Sequence, residues 1–111
     1  MEKNKYERNR EETMEACMPL RREMLIDPLD VEVDEASLDF EKAKELADRK
    51  ASEISEDAML IAWFDRNTGK FSPPVECGGK AKPAWLVYAE TRGANIVIDV
   101  NREMYVFVYL G

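Results

Sequence analysis

The chain has 111 residues, and 16 Lys and Arg against 23 Asp and Glu give it a formal net charge of −7, with no His at all. Because imidazole is the commonest general acid or base and the commonest metal ligand, Ser-His-Asp and Cys-His catalysis within this chain are excluded and a zinc site is disfavoured. No apolar run reaches the roughly 18 residues that span a bilayer, and the N-terminal MEKNKYERNREE lacks a signal-peptide core. We therefore expect one soluble, cytoplasmic domain without a membrane segment, with Cys17 and Cys77 as free thiols.

Charge and aromatic residues divide the chain unequally. Residues 1–55 carry 16 acids and 10 bases, residues 56–111 carry 7 acids and 6 bases, and nine of the ten aromatic residues lie at or after Phe40. This pattern predicts a charged N-terminal extension over residues 1–24, either a sparse amphipathic helix or a frayed tail, and a single α+β domain over residues 25–111. The net charge opposes a phosphate backbone, so we expect no nucleic-acid partner.

The first predicted elements are a strand and a helix. Leu29, Val31 and Val33 alternate with acids, which is typical of a half-buried strand at an edge of a sheet. After Ser37, the predicted N-cap, apolar residues recur at spacings of three and four, which predicts an amphipathic helix. Its apolar positions are Phe40, Ala43, Ala47, Ala51 and Ile54.

The second half of the chain alternates strands with one further helix. The apolar run from Ala58 to Phe64 predicts a strand buried on both faces, followed by a turn at Gly69 and a short strand over residues 70–72. Pro83 suits the first position of a helix that Gly93 ends. Residues 95–100 and 105–110 are typical of a hairpin across the loop NREM.

The order strand, helix, strand, short strand, helix, strand, strand predicts an α+β domain. We expect a four- to five-stranded mixed or antiparallel sheet with two main helices on one face. The first strand and the run from Ala58 to Phe64 flank a helix, as in a right-handed parallel crossover. If the hairpin loop holds an even number of residues, Val100 lies opposite Tyr105; an odd loop exchanges the partners.

The strongest candidate for a binding site is the loop SPPVECGGKAKPAW. Gly78 and Gly79 allow close approach of the backbone, Lys80 and Lys82 add positive charge, and the following helix start presents free amides to an anion. The same surroundings favour the thiolate of Cys77. Alternatively, the loop is a plain connection with Cys77 as a small buried residue, because it lacks the spacing of a phosphate-binding loop.

The acidic run from Asp27 to Asp39 is a second candidate, as carboxylates bind divalent cations. Leu29, Val31 and Val33 interrupt it at strand spacing, so we interpret it as the solvated face of a strand. We expect no metal, no cofactor and no catalytic residue.

One long stretch resembles a known family. SEDAMLIAWFDRNTGKFSPPVECGG, KPAWLVYAETRGANIVIDVN and YVFVYL are similar to small uncharacterised prokaryotic proteins, a domain of unknown function with an α+β fold. The resemblance covers roughly residues 26–110. It implies a single domain and no activity, cofactor or site residue.

Two functions follow as hypotheses. The first is a non-enzymatic, self-associating or partner-binding module, because every residue from Tyr105 to Leu110 is apolar or aromatic and two helices on one face leave the other uncovered. A homodimer through that sheet face is expected, unless the N-terminal segment covers it. The second is a small-anion site at Cys77, Gly78, Gly79, Lys80 and Lys82.

Overall fold

The computed structural model describes residues 19–75 and 82–111, which form five strands and two α-helices. The helices and strands are, in chain order, β1 (Leu29–Val31), α1 (Phe40–Ile54), β2 (Met59–Asp65), β3 (Lys70–Ser72), α2 (Ala84–Thr91), β4 (Ile96–Val100) and β5 (Tyr105–Leu110). Short 3₁₀ turns lie at Arg22–Met24 and Glu35–Ser37. The predicted class and the predicted order of elements are confirmed.

The strands form one mixed sheet in the order β1-β4-β5-β2-β3. β1 runs parallel to β4, whereas β4 with β5, β5 with β2 and β2 with β3 are antiparallel. β1 and β2 therefore point the same way, as the crossover through α1 predicted, but β4 and β5 lie between them. β1 is an edge strand, as its alternation of apolar and acidic residues predicted.

The hairpin β4–β5 has the even loop. Val100 pairs with Tyr105 and Ile96 with Tyr109, so the four residues 101–104 form the turn. Because side chains alternate along a strand, Ile98 and Phe107 point to one face, and Val97 and Val106 point to the other. The five residues of β4 and the first five of β5 are all buried, and apart from one acidic residue, Asp99, they form two apolar faces.

 

Each face of the sheet has its own helix, which corrects the expectation that both helices lie on one face. Ala43, Ala47 and Ala51 of α1 are fully buried against the face that carries Ile98 and Phe107. Helix α2 packs on the opposite face through its buried residues Trp85, Leu86 and Ala89. The reason is the hairpin itself, because a strand that is apolar on both sides loses contact with water only when both sides are covered.

Residues 19–25, which we call the strap, complete the cover on the α2 side. Leu20, Met24 and Leu25 are 4%, 6% and 6% exposed and belong to the same cluster as Trp85. The face that was expected to remain open for a dimer is thus covered by α2 together with the strap. This corresponds to the alternative in which N-terminal residues fold over the sheet.

Helix α1 begins at Phe40, two residues later than the start that an N-cap at Ser37 predicts. Asp39 is the N-cap, and its side chain accepts a hydrogen bond from the Lys42 N–H at 2.8 Å. Ser37 instead ends the preceding 3₁₀ turn, which Asp34 caps by accepting from the Ala36 N–H at 3.0 Å. Both carboxylates satisfy amides that have no partner inside their helices.

Strand β2 is less buried than its apolar sequence predicted. It runs from Met59 to Asp65, and Met59 is 60% exposed. Its neighbour β3 has three residues and leaves one side of β2 partly open. The turn between them has Gly69 at φ +76°, the conformation for which a glycine was expected.

Among the described residues, neither helix has the length and apolar character needed to cross a membrane.

Candidate functional site

Most of the predicted anion site lies outside the described residues. Cys77, Gly78, Gly79 and Lys80 belong to residues 76–81, so the structure places none of them. Lys82 is described, and its Nζ lies 2.7 Å from a carboxylate oxygen of Glu90 on α2. A negatively charged ligand at Lys82 would therefore compete with a carboxylate of the same chain.

The start of α2 keeps one feature that the anion hypothesis needs. Pro83 is the N-cap, and its side chain accepts no hydrogen bond from the first turn of the helix, in contrast to the Asp39 side chain at the start of α1.

Three carboxylates surround Arg22 of the strap near the C-terminal end of β4. The Arg22 Nη1 lies 2.5 Å from Asp30 Oδ1, 2.6 Å from Asp99 Oδ2 and 3.7 Å from Glu103 Oε2. The three carboxylates come from β1, from β4 and from the β4–β5 turn. We call these four residues the Arg22 cluster.

Asp99 is the unusual member of the Arg22 cluster, because it lies in the middle of the sheet and is 0% exposed. A buried carboxylate requires compensation. Asp99 obtains it from Arg22 through Oδ2, and from the Glu103 backbone N–H, which donates to Oδ1 at 2.5 Å. The strap thus supplies the counter-charge of a buried group in addition to apolar side chains.

The pKa values within the Arg22 cluster shift in opposite directions. Burial raises the pKa of the Glu103 carboxyl, and the neighbouring Asp99 carboxylate raises it further, while Arg22 and Arg66 lower it by a smaller amount. The hydrogen bond from Arg22 lowers the pKa of the exposed Asp30 carboxyl. Glu103 is therefore the member of the cluster that takes up a proton more readily than an ordinary glutamate does.

Arg66 connects the turn to the strap from the β2 side. Its guanidinium donates to the Glu103 carbonyl at 2.9 Å and to the Leu20 carbonyl at 3.2 Å, and it lies over the Phe64 ring at 5.3 Å. The strap is consequently held by two arginine side chains, one of its own and one from the residue after β2.

The backbone of the β4–β5 turn has an unusual conformation. Asn101, Arg102 and Glu103 have φ values of +53°, +56° and +64°, in the left-handed region that is costly for residues other than glycine. The Asn101 side chain accepts from the Val33 N–H at 2.8 Å and donates to the Val33 carbonyl at 2.9 Å. It thereby extends the pairing of β4 with β1 beyond the end of the strand.

A shallow depression of about 130 Å³ lies beside this turn and is lined by Glu32, Val33, Glu35, Asn101 and Arg102.

The acidic run from Asp27 to Asp39 borders this depression, and its members have several separate roles. Asp34 and Asp39 cap helices, Asp30 pairs with Arg22, and Glu32 lies 3.8 Å from Arg102. Within residues 19–75 and 82–111, no three acidic or cysteine side chains are grouped so that they could hold a metal ion.

Exposed apolar side chains collect at the far end of the sheet, away from the Arg22 cluster. Met59 pairs directly with Leu110, and they are 60% and 37% exposed. Ile54, 49% exposed, is the last residue of α1, which packs on the other face of the sheet. We call Met59 and Leu110 the apolar end.

The Arg22 cluster was not predicted from the sequence. One signal for it was present, because Asp99 interrupts the apolar run IVIDV at a position where its neighbours are buried. Such an acid requires a cationic partner, but nothing in the sequence indicates that this partner is Arg22, 77 residues earlier. The apolar end was not predicted, because Met59 was expected in a strand buried on both faces and Leu110 was considered only as part of a whole sheet face.

Fold and sites together define a small α+β protein with a mixed five-stranded sheet, one helix on each face and an N-terminal strap. Residues 26–109 match the family described as a domain of unknown function, DUF5619, and the chain belongs to that family. An uncharacterised protein of Archaeoglobus fulgidus is 39% identical over 80 residues, which are 68% of this chain and 86% of the relative. The crystal structure of a novel protein from the same organism superposes with a TM-score of 0.57 and 32% identity, over 77% of this chain and 93% of that chain.

The expected resemblance to small uncharacterised prokaryotic proteins is thus confirmed. The family and these relatives indicate no function.

Proposed function

We propose that this protein is a non-enzymatic module that acts in the cytoplasm by associating with a second copy of itself through the apolar end. The observation that carries the proposal is the direct pairing of Met59 with Leu110, both exposed. Single exposed apolar residues are ordinary on protein surfaces, whereas contiguous exposed apolar side chains are typical of an interface.

The position of the apolar end supports a twofold arrangement. Both faces of the sheet are occupied by α1, by α2 and by the strap, so they offer little surface to a second copy. The edge strands β1 and β3 have three residues each, and Pro73 and Pro74 follow β3, which disfavours pairing of edges. The apolar end is an exposed part of the described surface that a copy of itself can cover in a twofold arrangement.

The charge of the protein supports a partner of this kind. A net charge of −7 opposes association with polyanions and is compatible with a contact made by apolar side chains. The 35% charged residues also support the cytoplasmic location included in the proposal.

Sedimentation velocity over a range of micromolar concentrations tests the proposal with a matched pair of variants. Met59→Ser removes an apolar side chain that is 60% exposed at the apolar end, and Ile26→Ser removes one that is 59% exposed before β1. We expect the wild type and Ile26→Ser to sediment as dimers and Met59→Ser to sediment as a monomer. Urea unfolding should show equal stability of the two variants as monomers.

A wild type that remains monomeric at these concentrations would overturn the proposal. The interface would lie elsewhere if Ile26→Ser dissociated the dimer and Met59→Ser did not.

The second candidate is the small-anion site at Cys77, Gly78, Gly79, Lys80 and Lys82. What favours it is that the N-cap of α2 is Pro83, whose side chain offers no acceptor to the amides of the first turn. The ion pair between Lys82 and Glu90 opposes it, because an anion would have to displace the Glu90 carboxylate from Lys82. The self-association proposal avoids such a competition, and we therefore prefer it.

A further inference from the structure

Strand β1 has one edge that no other strand of the sheet covers. It is the first strand in the order β1-β4-β5-β2-β3, so β4 pairs with it on one side only. The Val31 carbonyl accepts from the Asn101 N–H, and the Asn101 side chain bonds to both backbone groups of Val33. Because the backbone groups of successive residues in a strand point to opposite sides, those of Asp30 and Glu32 point away from β4. We call their N–H and C=O groups the open edge.

The open edge is available as the fold stands. No backbone group within residues 19–75 and 82–111 forms a hydrogen bond with it. The chain beside it is held in place by the ladder of β1 with β4, and the Asn101 side chain continues this pairing as far as Val33. A further strand can therefore add to the open edge through main-chain hydrogen bonds, without rearrangement of β1.

The side chains along β1 divide between an apolar and an acidic surface. Leu29 and Val31 point to the α1 side, where Val31 packs against the core and Leu29 is 38% exposed. Asp30 points to the α2 side, where it meets Arg22 of the strap, and alternation places Glu32 on that side too. The side chains of Asp30 and Glu32 are 52% and 62% exposed. A strand added at the open edge thus has apolar neighbours on one face and carboxylates on the other.

The charge around β1 indicates which kind of segment fits there. Residues 24–41 contain seven acids and no base, and the rest of the chain has 16 of each, so this stretch carries the whole net charge of −7. All seven acidic residues are exposed. A second copy of β1 would place acids opposite acids, which is destabilising, whereas a segment with lysine or arginine at alternate positions would pair with them.

Two arginine residues lie near these acids without neutralising them. Arg22 is shared among the three carboxylates of the Arg22 cluster, which keeps a negative net charge. Arg102 lies 3.8 Å from Glu32, and its side chain is 86% exposed, so this ion pair is weak. A basic side chain of a partner can take the place of Arg102 at little cost.

We propose that β1 is a docking strand for an extended basic segment of a partner protein, in which lysine or arginine alternates with apolar residues. The backbone of this segment bonds to the open edge and continues the sheet beyond β1. Its basic side chains meet Asp30 and Glu32, and its apolar side chains meet Leu29 and Val31. The contact is separate from the self-association through the apolar end, because the apolar end lies on β2 and β5.

Amide hydrogen exchange of the full chain, with and without a short end-blocked peptide of alternating lysine and valine, tests the docking strand. The Asp30 and Glu32 N–H groups report on the open edge, because no described backbone group accepts from them. We expect both amides to exchange rapidly in the free protein and to become protected, to a saturating level, as the peptide is added. A peptide of alternating glutamate and valine should leave their exchange unchanged.

Glu32→Lys and Glu56→Lys form a matched pair of variants. Both replace an exposed acid by lysine, but Glu32 lies at the open edge and Glu56 lies in the turn between α1 and β2. We expect Glu32→Lys to bind the lysine–valine peptide roughly five- to tenfold more weakly than the wild type, since an attractive cross-strand pair becomes a repulsive one. Glu56→Lys should bind it within about twofold of the wild type, because salt screens a distant charge.

Protection of the Asp30 and Glu32 amides in the free full chain would overturn the proposal, because another segment of the same chain would then occupy the open edge. A lysine–valine peptide that leaves both amides unprotected would also overturn it, since any contact would then not be the addition of a strand. Equal weakening by Glu32→Lys and Glu56→Lys would contradict it too, because binding would depend on the net charge and not on β1.

Discussion

Two polar residues at the end of β4 join parts of the chain that are distant in sequence. Asp99 holds Arg22 of the strap, and Asn101 holds Val33 after β1 through both its amide oxygen and its amide nitrogen. Each satisfies buried or half-buried polar groups that would otherwise lack partners. Their type was visible in the sequence, but their partners were not, since a hydrogen bond depends on which segments the fold brings together.

The role of Asn101 is testable by substitution. Asn101→Ala removes two hydrogen bonds to the Val33 backbone and leaves a residue with a Cβ at a φ of +53°. With about 1 kcal/mol for each hydrogen bond, we expect a loss of roughly 2 kcal/mol in the free energy of unfolding, since asparagine and alanine both carry a Cβ in this conformation. Urea unfolding measures this loss.

Two further variants separate the contributions. Asn101→Gly loses the hydrogen bonds but tolerates the conformation, so it should lose less than Asn101→Ala. Arg102→Ala places alanine at a φ of +56° and breaks only an exposed contact of 3.8 Å with Glu32. If Asn101→Ala proved no more destabilising than Arg102→Ala, the pairing with Val33 would contribute nothing measurable.

Helices and strands were predictable to the extent that their periodicity was strong. β5 and the short β3 have the predicted bounds, and the alanine stripe of α1 is buried as expected. The start of α1 was displaced, because Asp34, Ser37 and Asp39 can all cap a helix and the sequence gives no reason to choose among them. The structure uses Asp34 for a 3₁₀ turn and Asp39 for α1.

This assignment of the N-cap predicts different outcomes for two neighbouring substitutions. Asp39→Ala removes the acceptor of the Lys42 N–H, and we expect it to lower the free energy of unfolding by about 1 kcal/mol. Ser37→Ala should change it by less than about 0.5 kcal/mol, because Ser37 is an exposed residue outside α1. Thermal or urea unfolding of both variants checks the assignment, and the reverse order of effects would refute it.

At the scale of the whole molecule, the sequence indicated the class but not the covering of the sheet. A hairpin with two apolar faces requires cover on both, whereas the order of elements predicted both helices on one face. The choice depends on the turns that precede α1 and α2 and on the strap, and no pattern in these segments encodes a side of the sheet. The Cys77 loop lies outside the described residues, so the anion site there stays a prediction.

The domain boundary after residue 24 stays a prediction, and it is tested by the free energy of unfolding of residues 25–111. We expect residues 25–111 to fold with reduced stability, because this fragment lacks Leu20, Arg22 and Met24. These three residues contact the α2 side of the sheet. Burial of a large apolar side chain contributes about 1.5–3 kcal/mol, so the loss of Leu20 and Met24 should cost about 3–6 kcal/mol.

The strap is part of the fold, and urea unfolding of two truncated chains measures its contribution. A chain that begins at residue 19 retains the strap, whereas one that begins at residue 25 lacks all of it except Leu25. We expect the first to unfold with the stability of the full chain and the second to be less stable by about 3–6 kcal/mol, with a Trp85 emission shifted toward that of an exposed indole. Equal stability of the two truncated chains would contradict the account, because the strap would then contribute nothing to the cover of the sheet.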